Sequence, residues 1–156
     1  MVTSSIQQGW EFRRPTMVMI LLNAVATAMM LTGVNVALPD IANDLNVGAK
    51  TLSWIPMGYL VASAASVLTF GRLADMYGRK RFYLLGTLGV IISSVMTSYS
   101  QDVWQLIAGR IFQGICAGAL YSTMFAVLSS VYPESKRGEA IGYSVSAVYL
   151  GLALGP

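Results

Sequence analysis

From Thr16 to Pro39 the chain carries no charged side chain, and that run leaves it few ways to fold. As a helix it would rise about 36 Å, enough to cross a bilayer with some tilt. Further runs follow at 51–71, 82–101, 103–132 (interrupted by Arg110) and 140–156, separated by short charged turns. Charged residues are 11% of the chain, where a soluble domain averages roughly 25%, and the mean hydropathy is +0.62. The expected fold is an all-α integral membrane protein with about five transmembrane helices. Before them, residues 1–15 read as a polar N-terminal tail with a short amphipathic stretch near Trp10 and Phe12. Pro15 suits the first position of the first helix.

Charge placement sets the expected orientation. Gly71 to Phe82, GRLADMYGRKRF, holds Arg72, Asp75, Arg79, Lys80 and Arg81, five of the chain's seventeen charges. A basic turn between two apolar runs faces the cytoplasm. Gly71 and Gly78 bracket it, and each suits a positive φ or a close approach at a helix end. Asp75 among cations suits charge-assisted bonds that fix the turn. The bland alternative is a topological anchor of solvated charges. Asp40, Asp44 and Lys50 give the next loop out a net negative charge. PESKRGE, Pro133 to Glu139, is a second cytoplasmic turn. The N-terminus is then cytoplasmic, in a multi-pass protein of the cell membrane. A secretory signal peptide ending near Ala24-Val25-Ala26 is the competing reading of the start, but the apolar run continues well past an h-region.

Several classes have no support. The chain lacks histidine, so His-built zinc sites and Ser-His-Asp triads are excluded within it. Cys116 is the lone cysteine and reads as a small packing residue. No G-x-x-x-x-G-K-[ST] loop or metal cluster is present, and no enzyme or cofactor is indicated. The net charge of +3 flanks apolar runs and forms no stripe for nucleic acid.

Within the runs, polar residues are the candidates. Asn23, Thr27, Thr32 and Asn35 fall near one helical face, where they line a polar cavity or bond other helices. Small residues at Ala62-Ser63-Ala64-Ala65-Ser66, and Gly86 and Gly89 with Ser93 and Ser94, suit close helix packing. Pro56 and Gly58 permit a bend. Arg110 lies about 12 Å along its helix from Asp102, inside the apolar zone. A cation there costs several kcal/mol unless it pairs, faces water or snorkels to the headgroups. Gln113 shares its face one turn on, and Gly114 with Gly118 makes a GxxxG pair. The last run stops after seventeen residues at Pro156 without a cap or basic flank, and reads as an end inside a helix.

Four stretches resemble one family. GRLADMYGRKRF is similar to the loop motif of the major facilitator superfamily, with Gly71, Asp75, Gly78, Arg79 and Lys80 in place. LIAGRIFQGICAG, Leu106 to Gly118, resembles the fourth-helix motif of its proton-coupled members, with Arg110, Gln113 and Gly114 matching. GLALGP, with Gly151, Gly155 and Pro156, resembles the start of the fifth-helix antiporter motif. NVALPDI, Asn35 to Ile41, is similar to the end of the first helix in fourteen-helix drug:proton antiporters. The resemblance implies a latch between Asp75 and Arg79 that holds two halves together on the cytoplasmic side. It implies a role for Arg110 in proton coupling, supported by Gln113 and Gly114, and a bending helix at Gly151, Gly155 and Pro156.

Two positions depart from the pattern. Met30 stands where such antiporters often carry a first-helix acid, which leaves Asp40 or a residue beyond this sequence to partner Arg110. Cys116 replaces a glycine, which implies a slightly wider crossing. Three functions stay open: a proton-driven exporter of small amphipathic or toxic compounds, an uptake or metabolite carrier, and a non-transporting membrane module. The first requires a small-molecule substrate, the proton gradient, the bilayer and further C-terminal helices.

Overall fold

The computed structural model describes residues 2–156, with side chains from residue 14 onward. Among the described residues it is helical throughout, and the connections are short. The order is α1 (Val2–Asp44), α2 (Ala49–Leu52), α3 (Trp54–Tyr77), α4 (Arg79–Ser98), α5 (Val103–Val131) and α6 (Glu134–Leu154). Among the described residues four stretches are long and apolar enough to cross a membrane: Arg14–Asp44, Ala49–Tyr77, Arg79–Ser98 and Val103–Val131. The fifth expected span, 140–156, lies on α6 as far as Leu154. That helix begins six residues earlier, and Glu134, Lys136, Arg137 and Glu139 fill its first two turns with charge.

The helices are longer, and the turns shorter, than the charge pattern suggested. α1 runs through Pro15 where a tail was expected. Proline's φ is itself helical, so continuing through it costs chiefly one backbone hydrogen bond. The side chains of Trp10 and Phe12 lie outside the described residues. At its other end α1 passes Pro39, so Asp40 and Asp44 stand on helix rather than in a loop, and Lys50 is on α2. Packing explains the extension: Val34, Leu38, Ile41 and Leu45 close over a cluster of Ile55, Val103 and Ile107. α1 then ends at Asn46 with φ 50°, while the Val47 N–H donates to the Ala42 carbonyl at 3.2 Å. That is a Schellman-type stop, with asparagine in the left-handed position.

The twelve-residue basic turn contracts to one residue. Only Gly78 leaves the helices, with φ 106°. Gly71, expected to share that freedom, lies inside α3. Charged side chains do not break a helix, because they can point to water from its surface. The second basic turn behaves alike. Pro133 caps α6, accepting bonds from the N–H groups of Lys136 (2.9 Å) and Arg137 (3.1 Å). Glu134 sits in the first turn of α6, where the helix dipole favours an acid.

The chain forms two compact units, Gly33–Thr123 and Met1–Thr32 with Met124–Pro156. In the first, α5 lies against both α3 and α4 through glycine. A β-carbon on Gly118 would stand 2.9 Å from the Ser63 carbonyl oxygen, and one on Gly114 would collide with the Tyr59 carbonyl. On the α4 side, a β-carbon on Gly86 would lie 3.0 Å from the Cys116 carbonyl. In the second unit Gly151 meets α1, where a β-carbon would come 2.7 Å from Cβ of Ala28. Outward faces are apolar and exposed, as at Leu68 (78%) and Val61 (65%), which suits lipid or further helices.

Gly114→Ala should therefore lower stability by about 1–3 kcal/mol, because the obstacle is backbone. Gly138→Ala, with nothing within 4 Å of the added carbon, should be neutral or gain up to about 1 kcal/mol. Thermal unfolding of both variants in detergent tests the contrast; equal losses would mean the α3–α5 contact is not what glycine protects.

Candidate functional site

The site begins with a cation in an apolar helix. Arg110 lies in the third turn of α5 and is 6% exposed. Its guanidinium turns inward and does not snorkel. Nη1 donates to Oε1 of Gln113 at 2.9 Å, a contact that the i, i+3 spacing permits. The Gln113 amide, 3% exposed, donates through Nε2 to Oγ of Ser94 on α4 at 2.8 Å. The Ser94 hydroxyl donates to the Val90 carbonyl at 2.6 Å. Charge on α5 is thus tied to the backbone of α4 through two neutral side chains.

One atom is left over. Nε of Arg110 is buried without a hydrogen-bond partner. An unanswered donor on a buried charge is costly, at about 1–3 kcal/mol or more. Among the described residues no carboxylate pairs with Arg110. Asp40, named from sequence as a possible partner, is exposed near the end of α1 and makes no such pair. Met30 occupies the first-helix position where the acid was expected.

Two tyrosines join this region that sequence reasoning did not single out. Tyr59 of α3 is 4% exposed, and its hydroxyl lies 3.3 Å from that of Tyr121 on α5. Tyr59 also stands within electrostatic reach of Arg110. The available signal was a phenol in the middle of an uncharged run, where its O–H needs a partner. Ser94 was legible as a small packing residue, but not as the acceptor for Gln113 nineteen positions away.

The other candidates fall elsewhere. Gly114 gives α5 its approach to Tyr59. Asp75 and Arg79 form an ion pair, Nε to Oδ1 at 2.9 Å, with side chains 61% and 45% exposed. Lys80 beside them is exposed. Asn23 donates to its own helix at the Met19 carbonyl (3.0 Å). Thr27, buried at 5%, donates to the Asn23 carbonyl at 2.7 Å. Asn35 is exposed. Gly151 and Gly155 face α1, at Val25 with Ala28 and at Thr32 respectively. Both stand one turn apart on a helix–helix contact, and Pro156 follows the helix end. Cys116, where a glycine was expected, reaches against Gly89, and a β-carbon there would collide with its Sγ. The facing glycine supplies the missing room, so a wider crossing is not required.

Known proteins resemble this chain over nearly all of its length. The family model described as Major Facilitator Superfamily matches residues 20–156. Multidrug resistance protein 3 of Bacillus subtilis (strain 168) is 37% identical over 137 residues, 88% of this chain and 27% of that protein. Riboflavin transporter RibZ of Clostridioides difficile (strain 630) is 34% identical over 122 residues, 78% of this chain and 27% of the relative. The Methylenomycin A resistance protein of Bacillus subtilis (strain 168) is 31% identical over 156 residues, 99% of this chain and 34% of the relative. The chain thus spans between a quarter and about a third of the length of these relatives.

The Cys116–Gly89 contact gives a paired prediction. Gly89→Ala should cost about 1–3 kcal/mol by overpacking. Adding Cys116→Gly should recover most of that loss. A double-mutant cycle on thermal unfolding measures the coupling; additive effects would mean that the two residues do not share the space.

Proposed function

The chain belongs to the major facilitator superfamily, a family of multi-pass membrane transporters and not of enzymes, and from that premise we propose proton-driven export. It would act with further helices, on the scale of its relatives' length, as a secondary transporter that exchanges small amphipathic or toxic compounds for protons. The N-terminus and both basic turns would face the cytoplasm, as positive charge favours. Relatives named for multidrug, tetracenomycin C and methylenomycin A resistance support an exporter.

The observation that carries the antiport reading is the half-satisfied guanidinium of Arg110. A fixed buried cation favours the charged form of a nearby carboxylate and lowers its pKa. Substrate or conformation then switches that acid by moving it toward or away from the cation. The acid would come from helices beyond those described, since Met30 and Asp40 do not serve. Gln113 and Ser94 hold the guanidinium in place so that its orphan Nε stays aimed at one position.

The Asp75–Arg79 pair fits a latch. Its exposure limits its value as an isolated pair to about 0–1 kcal/mol, so little is lost when either partner is exchanged for a charge on the second half. Gly151, Gly155 and Pro156 would let the last helix bend as it slides on α1. A metabolite carrier is the second reading, and the relative named as a riboflavin transporter favours it. Its cargo would be neutral or anionic, because the acids of the described spans, Asp40, Asp44 and Asp75, lie near span ends and leave none mid-span to select cations.

The test uses the full-length protein in proteoliposomes under an imposed pH gradient. Arg110→Lys keeps the charge but loses the planar fork that serves Gln113 and leaves Nε over. Proton-driven export should fall on the order of tenfold, the equivalent of losing one good hydrogen bond to a charged group. Export at the normal rate would overturn the coupling role. Asp75→Asn should cut transport while the amount of inserted protein stays the same, and normal transport by that variant would remove the latch.

A further inference from the structure

Tyr59 and Tyr121 form a hydroxyl pair that the transport argument leaves unused. Their phenolic oxygens lie 3.3 Å apart, across the contact between α3 and α5. Both belong to the unit Gly33–Thr123, whose side chains are all described. Each stands about 15 Å of helix from the nearer end of its apolar stretch, at a depth where hydrocarbon answers no donor.

The protons of the pair exceed its bonds. A phenol carries one donor proton and accepts through its oxygen. Two hydroxyls therefore hold two protons, and the bond between them uses one. Among the described residues neither hydroxyl makes another hydrogen bond. Arg110 decides which proton is left over. Tyr59 stands within electrostatic reach of that guanidinium, which is 6% exposed and so poorly screened. A cation draws the lone pairs of a nearby hydroxyl toward itself and turns the proton away. Tyr59 thus donates to Tyr121, and the Tyr121 proton remains. Accepting a bond makes the Tyr121 hydroxyl a stronger donor. Tyr121 is also the more open member of the pair, half-buried where Tyr59 is 4% exposed.

The geometry points to Tyr121 as a residue that contacts cargo, donating its spare proton to a carbonyl oxygen of the transported compound. A carboxylate would seek the guanidinium itself, whereas a neutral carbonyl fits a single neutral donor. An acceptor that arrives and leaves is felt along the chain of bonds. It strengthens the link from Tyr59 to Tyr121 and holds the Tyr59 oxygen toward Arg110. Cargo binding is thereby connected to the cation on which coupling is proposed to act. The role rests on the proposed transport of small compounds, and not on the exchanged proton.

The experiment uses the full-length protein in lipid nanodiscs, without a pH gradient, and two matched probes. Xanthone carries a ring carbonyl, and xanthene has a methylene in its place. Calorimetry reads affinity against empty nanodiscs, and infrared difference spectroscopy reads the carbonyl stretch of bound xanthone. Xanthone should bind roughly fivefold tighter than xanthene, the worth of one neutral hydrogen bond, with its stretch at lower frequency than in empty nanodiscs. Tyr121→Phe should erase the preference and the shift. Tyr59→Phe should reduce both by less, since Tyr121 keeps its proton but loses the polarising bond. Tyr99→Phe, at a residue 80% exposed, should change neither. The unliganded Tm of each variant reports folding, and the stretch in the unaltered protein decides should Tyr121→Phe not fold. Equal affinity for the two probes would overturn the role, as would an unshifted stretch. So would a preference that survives Tyr121→Phe; with a lowered unliganded Tm, that result would assign the proton to a fixed acceptor within the protein. An unchanged preference in Tyr59→Phe would overturn the link to Arg110. No proton is exchanged in these measurements, so failure here leaves antiport standing, and normal export by Arg110→Lys leaves the Tyr121 contact standing.

Discussion

Hydrocarbon offers no hydrogen bonds, so every polar group inside a span must be answered by protein. The hydroxyls here obey that constraint locally. Thr27, Ser63, Ser93, Thr123 and Ser144 each donate to a carbonyl one turn back on their own helix. Such bonds ask nothing of neighbouring helices. Gln113 is different, because its amide reaches α4 at Ser94. That bond exists only because α4 and α5 approach closely, and they do so because Gly86 and Gly89 present no side chain to Cys116, Ala119 and Leu120. The polar network and the glycine contacts are therefore one structure. Widening the crossing would unmake the hydrogen bond that steadies Arg110.

Burial sorts the charges by consequence. Asp75–Arg79 and Glu134–Arg137 are exposed pairs at span ends, where water competes and each contributes little. They suit contacts that form and break cheaply. Arg110 carries a larger desolvation cost, and its position changes little without disturbing Gln113, Ser94 and the backbone behind them. A chain that keeps a cation there and leaves one nitrogen unanswered is stabilised by whatever anion arrives. That makes Arg110 the described residue on which a proton-linked switch could act most strongly.

Much of this was legible in the sequence because lipid simplifies the code. Uncharged length located the spans, GxxxG at Gly114 and Gly118 announced a close crossing, and Arg110 stood out as a charge in an apolar run. Helix ends were read less well. Charged residues served as a proxy for turns, yet Asp40, Asp44, Arg79 and Glu134 are all helical. The true stops are conformational: Gly78 and Asn46 at positive φ and Pro133 as a cap. Partners across helices were also hidden. Nothing in one dimension links Gln113 to Ser94, or Tyr59 to Tyr121, because register between helices depends on packing that only the assembled unit supplies.

Cys116 shows how a motif position should be understood. A glycine on α5 was expected there to admit α4, and its loss suggested a looser contact. What the contact needs is a total free volume, and either helix can provide it. Gly89 lies where the Cys116 sulfur arrives, so the two positions act as one unit of space divided between helices. Cysteine is among the smaller apolar side chains and tolerates burial, so the division works without a cavity or a clash. Gly114 has no such freedom, because it faces the backbone carbonyl of Tyr59, and backbone cannot be trimmed by substitution on the opposite side. The two glycine positions of the fourth-helix motif thus differ in kind: one states a requirement of the crossing as a whole, the other a requirement of that residue alone.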